Sequence, residues 1–280
     1  MSLFFFFTLL YLLIINELFD FGGISMDYVK KNKATIDQWI ADGWQWGKPI
    51  THEQYATINS DNYALFVTPT KSVPHKWLGD LAGKKVLGLA AGGGQQGPIL
   101  AKLGAEVTVM DFSDYQVASE RQVADREGYD VTVVQSDMSQ EFPFPADSFD
   151  VVVFPVANVY VADVQVVWQE IARVLKPGGI LISGLDNGLN YAFDNEQSQL
   201  VNKLPFNPLQ NSDQMQMLAE DGAGVQFSHT IEEQIGGQIK AGFILQDVFG
   251  DTNGSGNLHN HNVPSFWATR AMLKHTGDSL

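Results

Sequence analysis

The sequence predicts an α/β fold. Helices should cover both faces of a mostly parallel seven-stranded sheet, giving a three-layer sandwich whose C-terminal strand runs antiparallel. Three observations predict it. Short apolar runs alternate with helix-compatible stretches between residues 86 and 184. The first run passes straight into Gly92-Gly93-Gly94, as a tight strand-to-helix turn requires. Two final β-rich runs, residues 243–249 and 265–271, are separated by a tract rich in Gly, Asn and His, so the last strand returns as a hairpin.

In chain order, strand one begins at Val86 and ends at the glycines, and a helix-compatible stretch covers residues 98–103. Strand two, residues 107–110, closes on Asp111. Strand three, residues 131–135, is followed by Ser136-Asp137-Met138. Phe149-Asp150 leads into strand four, residues 151–155. Val161, Val164, Val167, Trp168, Ile171, Val174 and Leu175 recur at three- and four-residue steps, which predicts one buried helical face. Lys176-Pro177-Gly178-Gly179 stops that helix and opens strand five, residues 180–184. Residues 230–242 read as a helix with Ile231, Ile235 and Ile239 one turn apart.

A glycine turn lets main-chain atoms approach a ligand where a Cβ would collide. An acid about twenty residues on, at the tip of the next strand, can accept from both hydroxyls of a ribose. Gly92, Gly94 and Asp111 meet those needs and propose a nucleoside-containing cofactor. Gly92, Gly94 and Gly97 also satisfy G-x-G-x-x-G, so a nicotinamide-dependent oxidoreductase is the alternative. Asp137 at the third strand tip could accept from an adenine amino group while Met138 packs on the ring.

Phe149-Asp150-Val151-Val152 followed by Arg173-Val174-Leu175-Lys176-Pro177-Gly178-Gly179 resembles the class I S-adenosylmethionine-dependent methyltransferases, a Rossmann-like group, with a core of the methyltransferase type 11 kind. The resemblance spans residues 84–184 and continues more loosely to the C-terminus. It implies S-adenosyl-L-methionine as cofactor. The methionine part would lie at Ala90, Gly92, Gly94 and Gln95, the ribose at Asp111 with Phe112, and the adenine at Ser136, Asp137 and Met138, with Pro155 completing the site. Two positions depart from the family. Gly88 stands where strand one usually carries an acid, which keeps a non-catalytic S-adenosylmethionine-binding protein as a further alternative, and Ala90-Ala91 replace a glycine often followed by cysteine. The pair Gln95-Gln96 or main-chain carbonyls are the replacements to expect, unless those glutamines are solvated residues of a helix start.

Methyl transfer from a sulfonium needs alignment more than proton chemistry, and orientation alone supplies about 7–11 kcal/mol. No obligatory catalytic residue is therefore expected. The loop at residues 155–160 should line the transfer site, with Asn158 and Tyr160 as its polar members, and His229 is a further candidate proton acceptor. No G-x-S-x-G supports Ser/His/Asp hydrolysis. His259 and His261 have no cysteine or acid nearby to complete a metal set, and no metal is expected.

Residues 26–83 are read as an N-terminal helical and aromatic lid, in which Trp44, Trp46, Tyr55, Tyr63, Phe66 and Trp77 either line the substrate pocket or pack the lid on the core. Thr51, with Gln54 three residues on, should cap a helix. The methyltransferase core occupies residues 84–280, and an insertion at about 186–228 should sit over the ligand crevice as a substrate cover or as a solvated loop. Residues 3–15 are nearly all apolar but shorter than a membrane span. Residues 1–25 read as an extension ahead of a natural start at Met26. Packing on the domain, a homo-oligomer contact and a membrane tether are its alternatives, the tether the least favoured.

The formal net charge of −15 argues against nucleic acid, which would demand a basic face. It permits a small neutral or cationic methyl acceptor. The absence of cysteine fits a reducing cytoplasm.

Overall fold

The computed structural model describes residues 21–275, with side chains from residue 28 onward. Seven strands form one sheet in the order β3-β2-β1-β4-β5-β7-β6. They are β1 (Lys85–Leu89), β2 (Glu106–Asp111), β3 (Val131–Gln135), β4 (Phe149–Phe154), β5 (Leu175–Asp186), β6 (Phe243–Asp251) and β7 (Phe266–Leu273). The first five are parallel, and β7 runs antiparallel to both β5 and β6, as the terminal hairpin predicts.

The helices are α1 (Phe21–Ala41), α2 (His52–Thr57), α3 (His75–Leu78), α4 (Gln96–Lys102), α5 (Asp114–Glu127), α6 (Val164–Val174), α7 (Leu189–Ala192), α8 (Ser212–Glu220), α9 (Ile231–Lys240) and α10 (Gly256–Asn260). The apolar stripe of α6 faces the sheet as its spacing requires, and every residue named for it is buried, although Val161 precedes the helix and Leu175 already belongs to β5. Trp168 packs edge-on to Phe154 and donates its indole N–H to the carbonyl of Glu233. On the opposite face Trp77, Leu78 and Leu81 join Ile99 and Leu100 of α4 against Val86, Val107, Val109, Val151 and Val153. Thr51 and Gln54 form the expected capping box on α2, and Thr230 with Glu233 forms a second on α9.

Of the three isoleucines of α9 only Ile235 packs against the core. Ile231 and Ile239 are exposed, while Gln234, Gly237 and Gln238 are buried. Close approach to α6 explains it, because a Cβ on Gly237 would stand 2.7 Å from the Trp168 ring. The tract between β6 and β7 contains α10, in which His259 hydrogen-bonds Thr252. The insertion contains α7 and α8, so it is not a plain loop. No helix among the described residues is long and apolar enough to cross a membrane. The apolar run at residues 3–15 lies outside the described residues.

Candidate active site

Parallel strands that all end at one edge of a sheet leave a crevice beyond their C-terminal tips. Here a cavity of about 460 Å³ occupies that position, in the size range of small-molecule sites. One end is walled by the tips of β1, β2 and β3, through Ala90, Gly92, Gln95, Asp111, Phe112, Ser136, Asp137 and Met138. The other end is walled by residues at and beyond the ends of β4 and β5, among them Pro155, Tyr160, Asp186 and Tyr191. Asp111 and Asp137 therefore face one cavity.

Asp111 is buried, and its carboxylate accepts the Gly92 amide at 3.1 Å and the Ser113 amide at 3.0 Å. Burial outweighs these hydrogen bonds and pushes its pKa up to about 6. Gly92 has no room for a side chain, since a Cβ would lie 2.7 Å from Gln116 Cβ and 3.0 Å from Asp111 Oδ2. Asp137 accepts from both the amide and the hydroxyl of Ser139 at 2.8 Å.

Gly94 does not line the cavity. Its φ is +72° and its amide donates to buried Glu120 at 2.8 Å. Glu120 also accepts from the Tyr129 hydroxyl at 3.2 Å, and burial pushes its pKa up to about 7.

The two glutamines are neither solvated nor free. The Gln95 side chain donates to the carbonyls of Lys48 at 2.7 Å and Gln45 at 3.1 Å, and Gln96 donates to that of Phe66 at 3.1 Å. Both amides hold the N-terminal segment against the turn. Of the lid aromatics, Trp44, Trp46 and Phe66 line the cavity. Tyr55 stacks on Tyr129, Tyr63 on His75, and Trp77 packs against Phe249 with its indole N–H on Asp247.

Of the proton-transfer candidates, Tyr160 lines the cavity and Asn158 and His229 do not. Asn158 is fully buried. Its amide donates to the Asp186 carbonyl and to Gln234, and its carbonyl oxygen accepts the Asp186 amide, all at 3.1 Å. His229 Nε2 donates to the Asn158 carbonyl at 2.9 Å, and burial lowers its pKa, keeping the ring neutral. Both residues therefore brace the tip of β5. Sequence reasoning missed Gln116 and Asp186. The rule that found Asp111 could have found Asp186, which also ends a strand.

A family model for a methyltransferase domain matches residues 87–183. The chain is 39% identical over 251 residues to the Bacillus subtilis protein YbaJ, described as an uncharacterized methyltransferase, covering 87% of this chain and 98% of that one. The chain belongs to the class I S-adenosylmethionine-dependent methyltransferases. A crystal structure of an S-adenosylmethionine-dependent methyltransferase from Mesorhizobium loti shares the fold, with a TM-score of 0.58 and 19% identity over 70% of this chain and 94% of that one. The sterol 24-C-methyltransferase ERG6B of Gibberella zeae is 40% identical over 106 residues, only 37% of this chain and 28% of that protein.

The cofactor of this methyltransferase is S-adenosylmethionine, and its cavity fits that group. Gln116 Oε1 is buried at the cavity wall without a hydrogen-bond partner among the described residues, an acceptor left for a ligand. Gly92 presents bare backbone at the same end. Asp111, Asp137, Asp186 and Asp221 line the cavity, and among the described residues no lysine, arginine or histidine does. That charge suits a cationic cofactor. The nicotinamide alternative finds no support in these relatives.

Proposed function

We propose that the protein methylates a small-molecule acceptor held between the tips of β4 and β5, the N-terminal lid and the insertion. One observation carries this reading: a single cavity joins the adenosyl-type wall at β1–β3 to a second wall of mixed polar and aromatic side chains. In this reading Asp111 accepts from the ribose hydroxyls, Asp137 from the adenine amino group, and Met138 packs on the purine. Gly92 and Ala90 border the methionine part. Bound S-adenosylmethionine supplies an electrophilic methyl carbon on a good leaving group. The chain's own contribution is to align the acceptor behind that carbon and to exclude water, through residues 155–160 and the lid rings.

Calorimetric titration tests it. S-adenosylmethionine and S-adenosylhomocysteine should bind and NAD should not. Asp111→Ala should weaken both cofactor affinities at least tenfold, because hydrogen bonds to a charged group contribute about 1.5–3 kcal/mol. Unchanged affinity in a folded Asp111 variant would contradict the ribose assignment. Within the same reading, the cysteine-free composition supports a reducing cytoplasm as the site of action.

A further inference from the structure

The acceptor end of the cavity has an unusual charge. Asp186 ends β5, is 4% exposed and lines the cavity. Its Oδ1 accepts the Gly188 amide and its Oδ2 accepts the Asn190 side-chain amide, each at 2.7 Å. Both donors are neutral, and each oxygen keeps a lone pair. No salt bridge reaches Asp186 among the described residues. A buried carboxylate without a cation is costly, and burial raises its pKa to about 6. Tyr160 and Tyr191 lie close enough to feel its charge. The Tyr191 hydroxyl donates to Gln226 at 2.6 Å, whereas the Tyr160 hydroxyl makes no hydrogen bond among the described residues. Beside polar Asn190, Asn195 and Gln226 the cavity lining offers apolar surface from Val29, Ile36, Val159, Val161, Met217 and Leu218.

Resting on the methyl-transfer reading above, we propose that Asp186 is the head-group site for a protonated amine, so that the acceptor is an amine carried on an apolar body. With Asp111 and Asp137 taken by the cofactor, an anionic acceptor would still meet Asp186 and Asp221 and no cationic side chain among the described lining residues. A neutral hydroxyl would offer one hydrogen bond but leave the buried charge uncompensated. An ammonium group supplies both charge and donors, and the chain's net charge of −15 favours its approach. The amine must carry at least one N–H, because a quaternary ammonium has no lone pair to methylate. One N–H proton passes to the Asp186 carboxylate, leaving that carboxyl neutral and the nitrogen lone pair free as nucleophile. The Tyr160 hydroxyl then has the amine nitrogen or the carboxylate as its partner. The backbone of Asp186, from which the carboxyl group projects, is held in place by Asn158 and Gln234, and His229 braces both beneath the strand tip.

The test uses the full chain saturated with S-adenosylhomocysteine and titrated calorimetrically with octylamine, octanol and octanoate at pH 8 and moderate salt. Octylamine should bind one-to-one and at least tenfold more tightly than octanol, with octanoate weakest. Asp186→Asn should remove the amine's advantage and leave S-adenosylhomocysteine affinity within twofold. Should that variant fail to fold, the head-group order in the wild-type protein decides alone. Equal binding of the three probes, no binding of the amine, or an amine preference that survives in Asp186→Asn overturns the proposal. A tenfold loss of S-adenosylhomocysteine affinity in Asp186→Asn also overturns it, because the carboxylate would then belong to the cofactor's amino group. Absence of S-adenosylhomocysteine binding to the wild-type protein would overturn the parent reading, and this one with it.

Discussion

Glu120→Gln is expected to stabilise the protein at alkaline pH. Glu120 is fully buried behind the glycine turn, and its pKa is near 7 against an ordinary 4.5. The sign follows from linkage. Below pH 4.5 the carboxyl is protonated in both folded and unfolded chains and contributes no difference. Between the two values the folded chain holds a proton that the unfolded chain has lost, so stability falls as pH rises. Above pH 7 the disadvantage is complete, at about 3 kcal/mol from 1.36 kcal/mol per pH unit. Glutamine keeps the size of the side chain, can accept the Gly94 amide through its carbonyl and can donate to the Tyr129 hydroxyl oxygen. Urea denaturation of both proteins should therefore show the variant gaining about 2–3 kcal/mol over wild type between pH 5 and pH 8. Asp111 and Asp186 are also buried acids with raised values, but they occur in both proteins and cancel. A stability difference that stays flat across that pH range, or a variant less stable than wild type at pH 8, would refute the reasoning.

Three further outcomes are expected. Gly184→Ala places a Cβ 1.8 Å from the Val67 carbonyl oxygen, a backbone atom that cannot swing aside. It should cost at least about 3 kcal/mol in thermal or chemical unfolding. Gly236→Ala meets nothing within 4 Å on α9, so it should stabilise by about 0.5–1 kcal/mol in the same assay. His229 is held neutral by burial, so its contribution to stability is lost as pH falls below 6.5, where the unfolded imidazole takes a proton. His229→Gln should flatten that acid limb of the stability profile, and an unchanged limb would contradict the burial argument.

What the sequence made legible was whatever local periodicity determines. The α6 stripe, the Thr51 capping box and the seven strands follow from neighbours within a few residues. Asp111 and Asp137 could be placed at the cavity wall because a strand end fixes where the next side chain points. What stayed illegible depends on partners far along the chain. The direction of α9 is set by its approach to Trp168, so Ile231 and Ile239 face outward while Gln234 and Gln238 face inward. The Gln95 amide finds carbonyls 50 and 47 residues away, which no local pattern encodes. The setting of Asp186 likewise assembles from Asn158, Asn190 and Gln234 on three separate elements.

The two departures in strand one have a common physical answer. Gly88 leaves a hole that Ala91 enters, its methyl lying 3.2 Å from where a Gly88 Cβ would be, beside Val109. Ala90 holds φ at +48°, a region in which a Cβ costs about 1–2 kcal/mol. Something must enforce that shape. The Ala90 amide donates to the Met110 carbonyl at 2.8 Å, the Gly92 amide to Asp111, and the Gly94 amide to Glu120. Two of these three acceptors are carboxylates, borne by β2 and α5. Glu120 lies behind the turn and outside the cavity, so it does not take over the ligand contact of the missing strand-one acid. It supplies rigidity to the turn, and the expected gain in Glu120→Gln measures how much stability that buried charge removes.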